Sequence, residues 1–487
     1  MGRRLVNRFG ARRVCVLGLG RTGFAAADSL LQNDVEVVVV SGRADDREQE
    51  RAALLRVLGA DVRLGRGADT GVPDGVDLVV TSPGVPPRQP LLAAAAAAGL
   101  PIWSEVELAW QLQPEAGRPA WLTLTGTNGK TTTVQMLSAV LTAAGRRVAT
   151  VGNVGRPVVE AVCDPQPVDV FAVELSSFQL HWTHSVSPVA SACLNLAEDH
   201  VDWYAGVGGL AGYAADKARV FERTQVACVY NVQDPATERM VAGADVVEGA
   251  RAIGFTLGVP APGQVGVVDD VLADRAFVEN RRTEAAELCT LADLQGDAPT
   301  LAPHTVANAL AAAALARAYG VPPVAVRDGL VGFRPDHHRI AHVATVDGVD
   351  FVDDSKATNP HAAAASLSAF DHVVWVAGGL LKGADVDDLV RTHAPRLRAA
   401  VLIGRDRAAI VEAIARHAPD VPVVQVESTD TGVMDQVVEH ARALARSGDT
   451  VLLAPAAASM DMFRDYAQRG EEFADAVRRM AARRQGR

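Results

Sequence analysis

Lysine is nearly absent from this chain. Of 47 lysines and arginines only four are lysine: Lys130, Lys217, Lys356 and Lys382. A coding bias toward arginine accounts for guanidinium wherever a solvated positive charge suffices. The remaining lysines are chance survivors or candidates for work that needs a compact ammonium or a nucleophilic amine. Cysteine is scarce as well. Cys15, Cys163, Cys193, Cys228 and Cys289 are scattered with no C-x-x-C pair. That spacing argues against a disulfide framework or a zinc ribbon and fits a reducing cytoplasm. No run of about 18 apolar residues occurs, so no membrane-spanning helix is expected. A formal charge of −11 argues against a nucleic-acid coat, while a locally basic pocket for small anions stays open.

What is present points to a large soluble globular protein. With 487 residues, 49% hydrophobic and 22% charged, the chain is long enough for three ordinary domains. Its start, "MGRRLVNRFGARRVCVLGLG", is basic and then apolar. The apolar part reads as a strand ending in a glycine turn rather than as a secretion signal. Apolar β-branched strands alternate with alanine-rich helical stretches throughout, which predicts an α/β protein with parallel sheets. The polar, proline-bearing segment Gln111 to Ala120 reads as a linker, and "GFRPDHHR", Gly332 to Arg339, as a second boundary.

The segment "WLTLTGTNGKTTTVQML", Trp121 to Leu137, predicts a strand, a glycine turn and a helix. It departs from the G-x-x-x-x-G-K-[ST] spacing in having Leu124 where a glycine is expected. The backbone N–H groups of Gly126, Thr127, Asn128, Gly129 and Lys130 still form a nest for phosphate oxygens at a helix N-terminus. Lys130 would reach the terminal phosphates and the Thr131 hydroxyl would ligate Mg²⁺. Glu174, ending "DVFAVE", and His200, in "NLAEDHVDWY", follow strand ends, where ligands gather in open α/β sheets. Read by pattern alone, Lys217 in "YAADKARVF" is a solvated helical lysine.

Together, "TGTNGKTT", "ELSSFQL", "NLAEDHVDWY", "DDSKATNP" and the tail "LLAPAAASMDMFRDYAQRGEEF" resemble the Mur ligases of peptidoglycan precursor synthesis. "SSFQL", "DSKATN" and "RGEEF" are similar to the branch that adds D-glutamate. The resemblance implies three domains: a Rossmann-like UDP-sugar domain over residues 1–118, a central P-loop ATPase domain with a mostly parallel sheet over 119–335, and a Rossmann-like domain receiving the amino acid over 336–487. It implies that ATP phosphorylates the carboxylate of UDP-N-acetylmuramoyl-L-alanine, and that the D-glutamate amine then attacks the acyl phosphate through a tetrahedral intermediate. Domain closure would keep water from that intermediate.

Carried over by position, the resemblance gives Lys130, Glu174, His200 and Lys217 catalytic roles. Thr131 and Glu174 would hold one magnesium, and His200 and Lys217 a second. Lys217 would be carbamylated by CO₂, chemistry that only an amine allows. ATP contacts would add Thr132, Asn308, Arg339 and Asp354 to the loop. The UDP substrate would meet Arg21, Thr22, Gly23, Arg43, Ser82, Asn153, Ser176 and Gln179. D-Glutamate would meet Lys356, Thr358, Lys382, Ser459, Met460 and Tyr466. A cytoplasmic monomer without nucleic-acid or membrane partners is the expectation.

Several positions depart from the family pattern. Ser41 stands where an acidic residue is expected, Thr305 replaces an asparagine, Tyr466 a phenylalanine and Met460 a leucine. "GLGRTG" is also a full G-x-G-x-x-G, which keeps an NADP-dependent oxidoreductase open. NAD itself is disfavoured, because Ser41, Gly42 and Arg43 occupy the place of the ribose-binding acid. A sister Mur ligase, a folylpolyglutamate-type ligase and a non-catalytic P-loop scaffold stay open beside it.

Overall fold

The computed structural model describes residues 10–114, 116–296, 301–334, 338–427 and 432–485. The chain forms two compact units. One contains the described chain up to Leu196, with Trp203–Thr290 and Ala307–Phe333. The other contains Ala197–Asp202, Leu291–Val306 and the described chain from Arg334 onward.

The first unit carries two sheets. Strands β1 (Arg13–Leu17), β2 (Glu36–Ser41), β3 (Asp61–Leu64), β4 (Leu78–Thr81) and β5 (Ile102–Ser104) form a parallel sheet in the order β3-β2-β1-β4-β5. "RVCVL" and "EVVVVS" are almost continuously apolar because helices cover both faces of such a sheet. The second sheet comprises β6 (Ala120–Thr125), β7 (Val148–Gly152), β8 (Val170–Glu174), β9 (Ala190–Cys193), β10 (Ala227–Asn231), β11 (Arg251–Phe255), β12 (Gln264–Val268), β13 (Val271–Asp274) and β14 (Ala286–Thr290). Its order is β14-β13-β12-β11-β10-β9-β6-β8-β7, antiparallel only at the β12–β13–β14 edge. In both sheets β1 and β6 lie inside, so the glycine turns that follow them open at the strands' C-terminal edge, the usual ligand side.

One hydrophobic core joins these sheets. Val106 and Trp110, from the helix Glu105–Leu112, pack with Trp121, Val159 and Phe171. The segment Gln111 to Ala120, expected to be a linker, is instead a packed clasp. Gln111 and Leu112 finish the helix, and buried Gln113 accepts the Trp121 indole N–H at 3.0 Å. Arg118 lies 3.7 Å over the Trp110 ring and donates to the Gln113 and Pro114 carbonyls. Long polar side chains pack their stems and satisfy their ends, so polar composition misled the reading. Glu115 lies outside the described residues.

The second unit holds β15 (Ala341–Val346), β16 (Val349–Asp353), β17 (Val373–Gly378), β18 (Leu397–Ile403), β19 (Val423–Gln425) and β20 (Thr450–Leu453), in the order β15-β16-β20-β17-β18-β19. All pairs but β15–β16 are parallel. Two separate apolar clusters cover its faces, one around Phe351 and Phe473, the other around Trp375 and Leu452. The expected boundary at 335/336 lies outside the described residues. Among the described residues no helix is long and apolar enough to cross a membrane.

Candidate active site

Strand β6 ends at Thr125, and the chain turns through Gly126–Gly129 into the helix Lys130–Ala143. Gly129 caps that helix with φ of 82°, and an added Cβ would stand 2.4 Å from Asn308 Oδ1. Glycine is required there on both counts. Asn308, expected near the nucleotide, is thereby brought against the loop. Asn195 latches the loop from β9's side: its Oδ1 accepts from Asn128 N at 2.9 Å, its Nδ2 donates to Asn128 O at 3.1 Å, and its carbonyl accepts from Thr127 N. Thr127 and Thr132 are buried, and Thr131 is half-buried at the start of the helix.

Two lysines meet at this turn. Lys130 Nζ donates to the Gly126 and Thr127 carbonyls at 2.9 Å each, and Lys217 Nζ donates to the Gly126 carbonyl at 2.8 Å. Lys217 is 1% exposed, with its ammonium 4.6 Å above the Tyr213 ring. It is a core residue, contrary to its pattern-based reading as solvated. Burial of an ammonium is tolerated because the carbonyl and the aromatic face replace water. Tyr213 also hydrogen-bonds the Thr127 hydroxyl at 3.1 Å, tying the lysine's surroundings to the loop.

Glu174 ends β8, opposite Leu124 of β6. Its Oε1 accepts from Asn153 Nδ2 at 2.8 Å, whereas the buried Oε2 has no hydrogen-bond partner. An uncompensated carboxylate oxygen is costly, and a hard cation relieves that cost. Among the described residues no three His, Cys, Asp or Glu side chains gather as a metal cage. Magnesium is usually held by one or two carboxylates together with waters and phosphate oxygens. The unpartnered Glu174 Oε2 fits one such carboxylate ligand. Ser176 and Gln179 form a reciprocal capping box on the short helix after Glu174.

Around the first glycine turn, Gly23 is buried in the opening turn of the helix Arg21–Leu31, with Thr22 half-buried and Arg21 exposed beside it. Ser82, following β4, braces the turn: its N donates to Leu17 O at 2.9 Å and its hydroxyl to Gly18 O at 3.4 Å. Arg43 is exposed, its N donating to the Ser41 hydroxyl.

In the second unit, Lys356 Nζ lies 3.7 Å over the Tyr466 ring, and Thr358 N donates to Lys356 O. Ser459 is buried and Met460 65% exposed. Lys382 is exposed with φ of 55°. Its turn is tied to the Ser459 loop by backbone pairing of Leu380 with Ala458. Asp354 is buried and accepts from Ser366; burial pushes its carboxyl up to about 6, against the pull of Ser366 and the Arg339 charge. His200 has φ of 56°, and its N donates to Asp199 Oδ1 at 2.8 Å, while Asn359 donates to Asp199 Oδ2.

Sequence reasoning missed the supports. Arg469 is fully buried and donates to Ser355 O, Ser355 Oγ, Ala457 O and Gly378 O. It thus pins the end of β17 to the segments that follow β16 and β20. Its place in "RGEEF" was the one signal. Asn195 was signalled only by its position just after a strand end.

Comparison with known proteins gives a consistent set of relatives. Family models described as "Mur ligase MurD-like, N-terminal domain", "Mur ligase middle domain" and "Mur ligase, glutamate ligase domain" match residues 12–104, 124–316 and 338–457. The UDP-N-acetylmuramoylalanine–D-glutamate ligase of Streptomyces avermitilis is 57% identical over 97% of this chain and 99% of its own length. That of Thermobifida fusca is 58% identical over 96% and 99%. Among solved structures, MurF from Acinetobacter baumannii superposes with a TM-score of 0.58 at 17% identity, covering 91% of each chain. UDP-N-acetylmuramate-alanine ligase MurC from Thermotoga maritima gives 0.55 at 18%, covering 96% of this chain and all of that one. At such identities these two speak for the fold alone.

Proposed function

The chain belongs to the Mur ligase family, and on that footing we propose that it joins D-glutamate to UDP-N-acetylmuramoyl-L-alanine, converting ATP to ADP and phosphate. The observation that carries this reading is the glycine turn at Gly126, where two lysine side chains donate to one carbonyl, and the buried Glu174 Oε2 without a hydrogen-bond partner supports it. The relatives' names supply the substrates.

Phosphoryl transfer needs in-line placement and neutralised charge on the moving oxygens. Lys130, together with the N–H groups from Gly126 to Thr132, would hold the β- and γ-phosphates, with Asn308 behind the turn. The alanine carboxylate takes the γ-phosphoryl group and ADP leaves. The amine of D-glutamate then attacks the acyl carbon, loses a proton, and phosphate departs. Magnesium on Glu174 and Thr131 would supply charge neutralisation for the phosphates.

Lys217 is proposed to react as the free amine with CO₂, forming an N–C bond and releasing a proton, so that a buried cation becomes an anionic metal ligand. His200 is a candidate metal ligand by resemblance. Arg21, Thr22, Gly23, Arg43, Ser82, Asn153, Ser176 and Gln179 are assigned to the UDP substrate, and Arg339 and Asp354 to ATP. Lys356 and Lys382 are assigned to the two carboxylates of D-glutamate, with Thr358, Ser459, Met460 and Tyr466 beside them. Domain limits at 118/119 and 335/336, a monomeric state and a cytoplasmic location complete the proposal.

Incubation of the purified chain with ATP, Mg²⁺, the sugar nucleotide and D-glutamate should give UDP-N-acetylmuramoyl-L-alanyl-D-glutamate by mass spectrometry. ATP left intact and no dipeptide product would refute the reading.

A further inference from the structure

A Rossmann-type turn usually ends its second strand with an acidic residue that accepts from the nucleoside. Here that place holds Ser41 and Gly42. Two carboxylates approach it from elsewhere. Glu48, 93% buried on the helix Asp46–Val57, accepts from the Ser41 hydroxyl at 3.1 Å. Its second oxygen is buried without a partner. Asp69 comes from the segment following β3. A Cβ on Gly42 would stand 2.6 Å from Asp69 Oδ2 and 2.9 Å from Oδ1, so this carboxylate occupies the space of a residue-42 side chain.

The placement of Asp69 is built. Gly65 N donates to the Ser41 and Arg43 carbonyls, stitching the start of this segment to the end of β2. Gln89 Nε2 donates to the Asp69 carbonyl. No described hydrogen bond or ion pair ends on the half-buried Asp69 carboxylate. It is an acceptor held ready without a donor.

We propose that Asp69 supplies from a neighbouring segment the acidic acceptor that the end of β2 lacks, and that it binds a hydrogen-bond donor of the substrate's nucleoside, a ribose hydroxyl or the uracil imide N–H. Glu48 is a positioning residue, holding Ser41 and with it the turn on which Asp69 rests. Gly42 is glycine because any side chain there would displace the acceptor.

The inference rests on the sugar-nucleotide reading above and is tested by UDP binding alone, measured calorimetrically and without turnover. Asp69→Ala removes the acceptor and should weaken UDP about tenfold or more, since a hydrogen bond to a charged acceptor is lost. Gly42→Ala retains the charge but pushes it aside, and should weaken UDP similarly, with unchanged thermal midpoints in both variants. In wild type, 2′-deoxy-UDP and 3-methyluridine diphosphate separate the two donors. The analogue lacking the true donor should bind worse than UDP to wild type and as well as UDP to Asp69→Ala. Wild-type affinity for UDP in both variants would overturn the inference. Failure of the wild-type chain to bind UDP at all would instead overturn the sugar-nucleotide reading.

Discussion

Lys130 and Lys217, 87 positions apart in sequence, donate to the same acceptor, the Gly126 carbonyl, at 2.9 and 2.8 Å. One ammonium belongs to the phosphate loop's own helix and the other to the helix Gly209–Ala218. Like charges this close repel, and an anion bound at the turn removes that cost.

Lys217→Arg is expected to lower turnover by about 10³ or more, because arginine keeps the charge but cannot add CO₂. Lys217→Ala should regain part of its activity with small carboxylic acids such as formate or acetate. Phosphate release checks both. Wild-type turnover in Lys217→Arg would remove the carbamate from the mechanism.

Lys382→Arg should raise KM for D-glutamate about tenfold and leave KM for ATP nearly unchanged, since a fork replaces a point charge at one carboxylate. Initial rates at varied D-glutamate decide this. An unaltered amino-acid requirement would take Lys382 out of the pocket.

Arg469→Ala should destabilise the second unit by about 3 kcal/mol, because three carbonyls and a hydroxyl lose a buried donor. Chemical denaturation followed by tryptophan fluorescence, to which Trp375 contributes from this unit, measures the loss. A midpoint equal to wild type would show the hub to be dispensable.

Stability should also carry a signature of Glu105. Burial pushes its carboxyl up from 4.5 to about 7, only partly opposed by the Val159 and Val158 N–H groups. The folded chain therefore keeps a proton that the unfolded chain releases above 4.5, so this group's contribution falls as pH rises from 4.5 to about 7 and is level beyond. Glu105→Gln retains an acceptor for Val159 and removes the ionisation. It should be more stable than wild type by about 2–3 kcal/mol at pH 8 and gain little at pH 4. Urea midpoints at the two pH values check the sign.

Much of this was legible because it is local. The strand–turn–helix around Gly126 is continuous in sequence, and the apolar runs of β1, β2 and β8 announce buried parallel strands. What stayed hidden depends on long-range packing. Lys217 reads as solvated until Tyr213 and the Gly126 carbonyl close over it. Asp69 lies 27 positions beyond Gly42, and only the fold shows that one fills the other's side-chain space. The Gln111–Ala120 clasp misled because composition reports polarity and not the partners that satisfy it.

The most direct test is phosphate release by the purified chain with ATP and UDP-N-acetylmuramoyl-L-alanine across a panel of D- and L-amino acids. The account predicts turnover with D-glutamate and little with L-glutamate or other members. Equal turnover without the sugar nucleotide, or a clear preference for another amino acid, would contradict it.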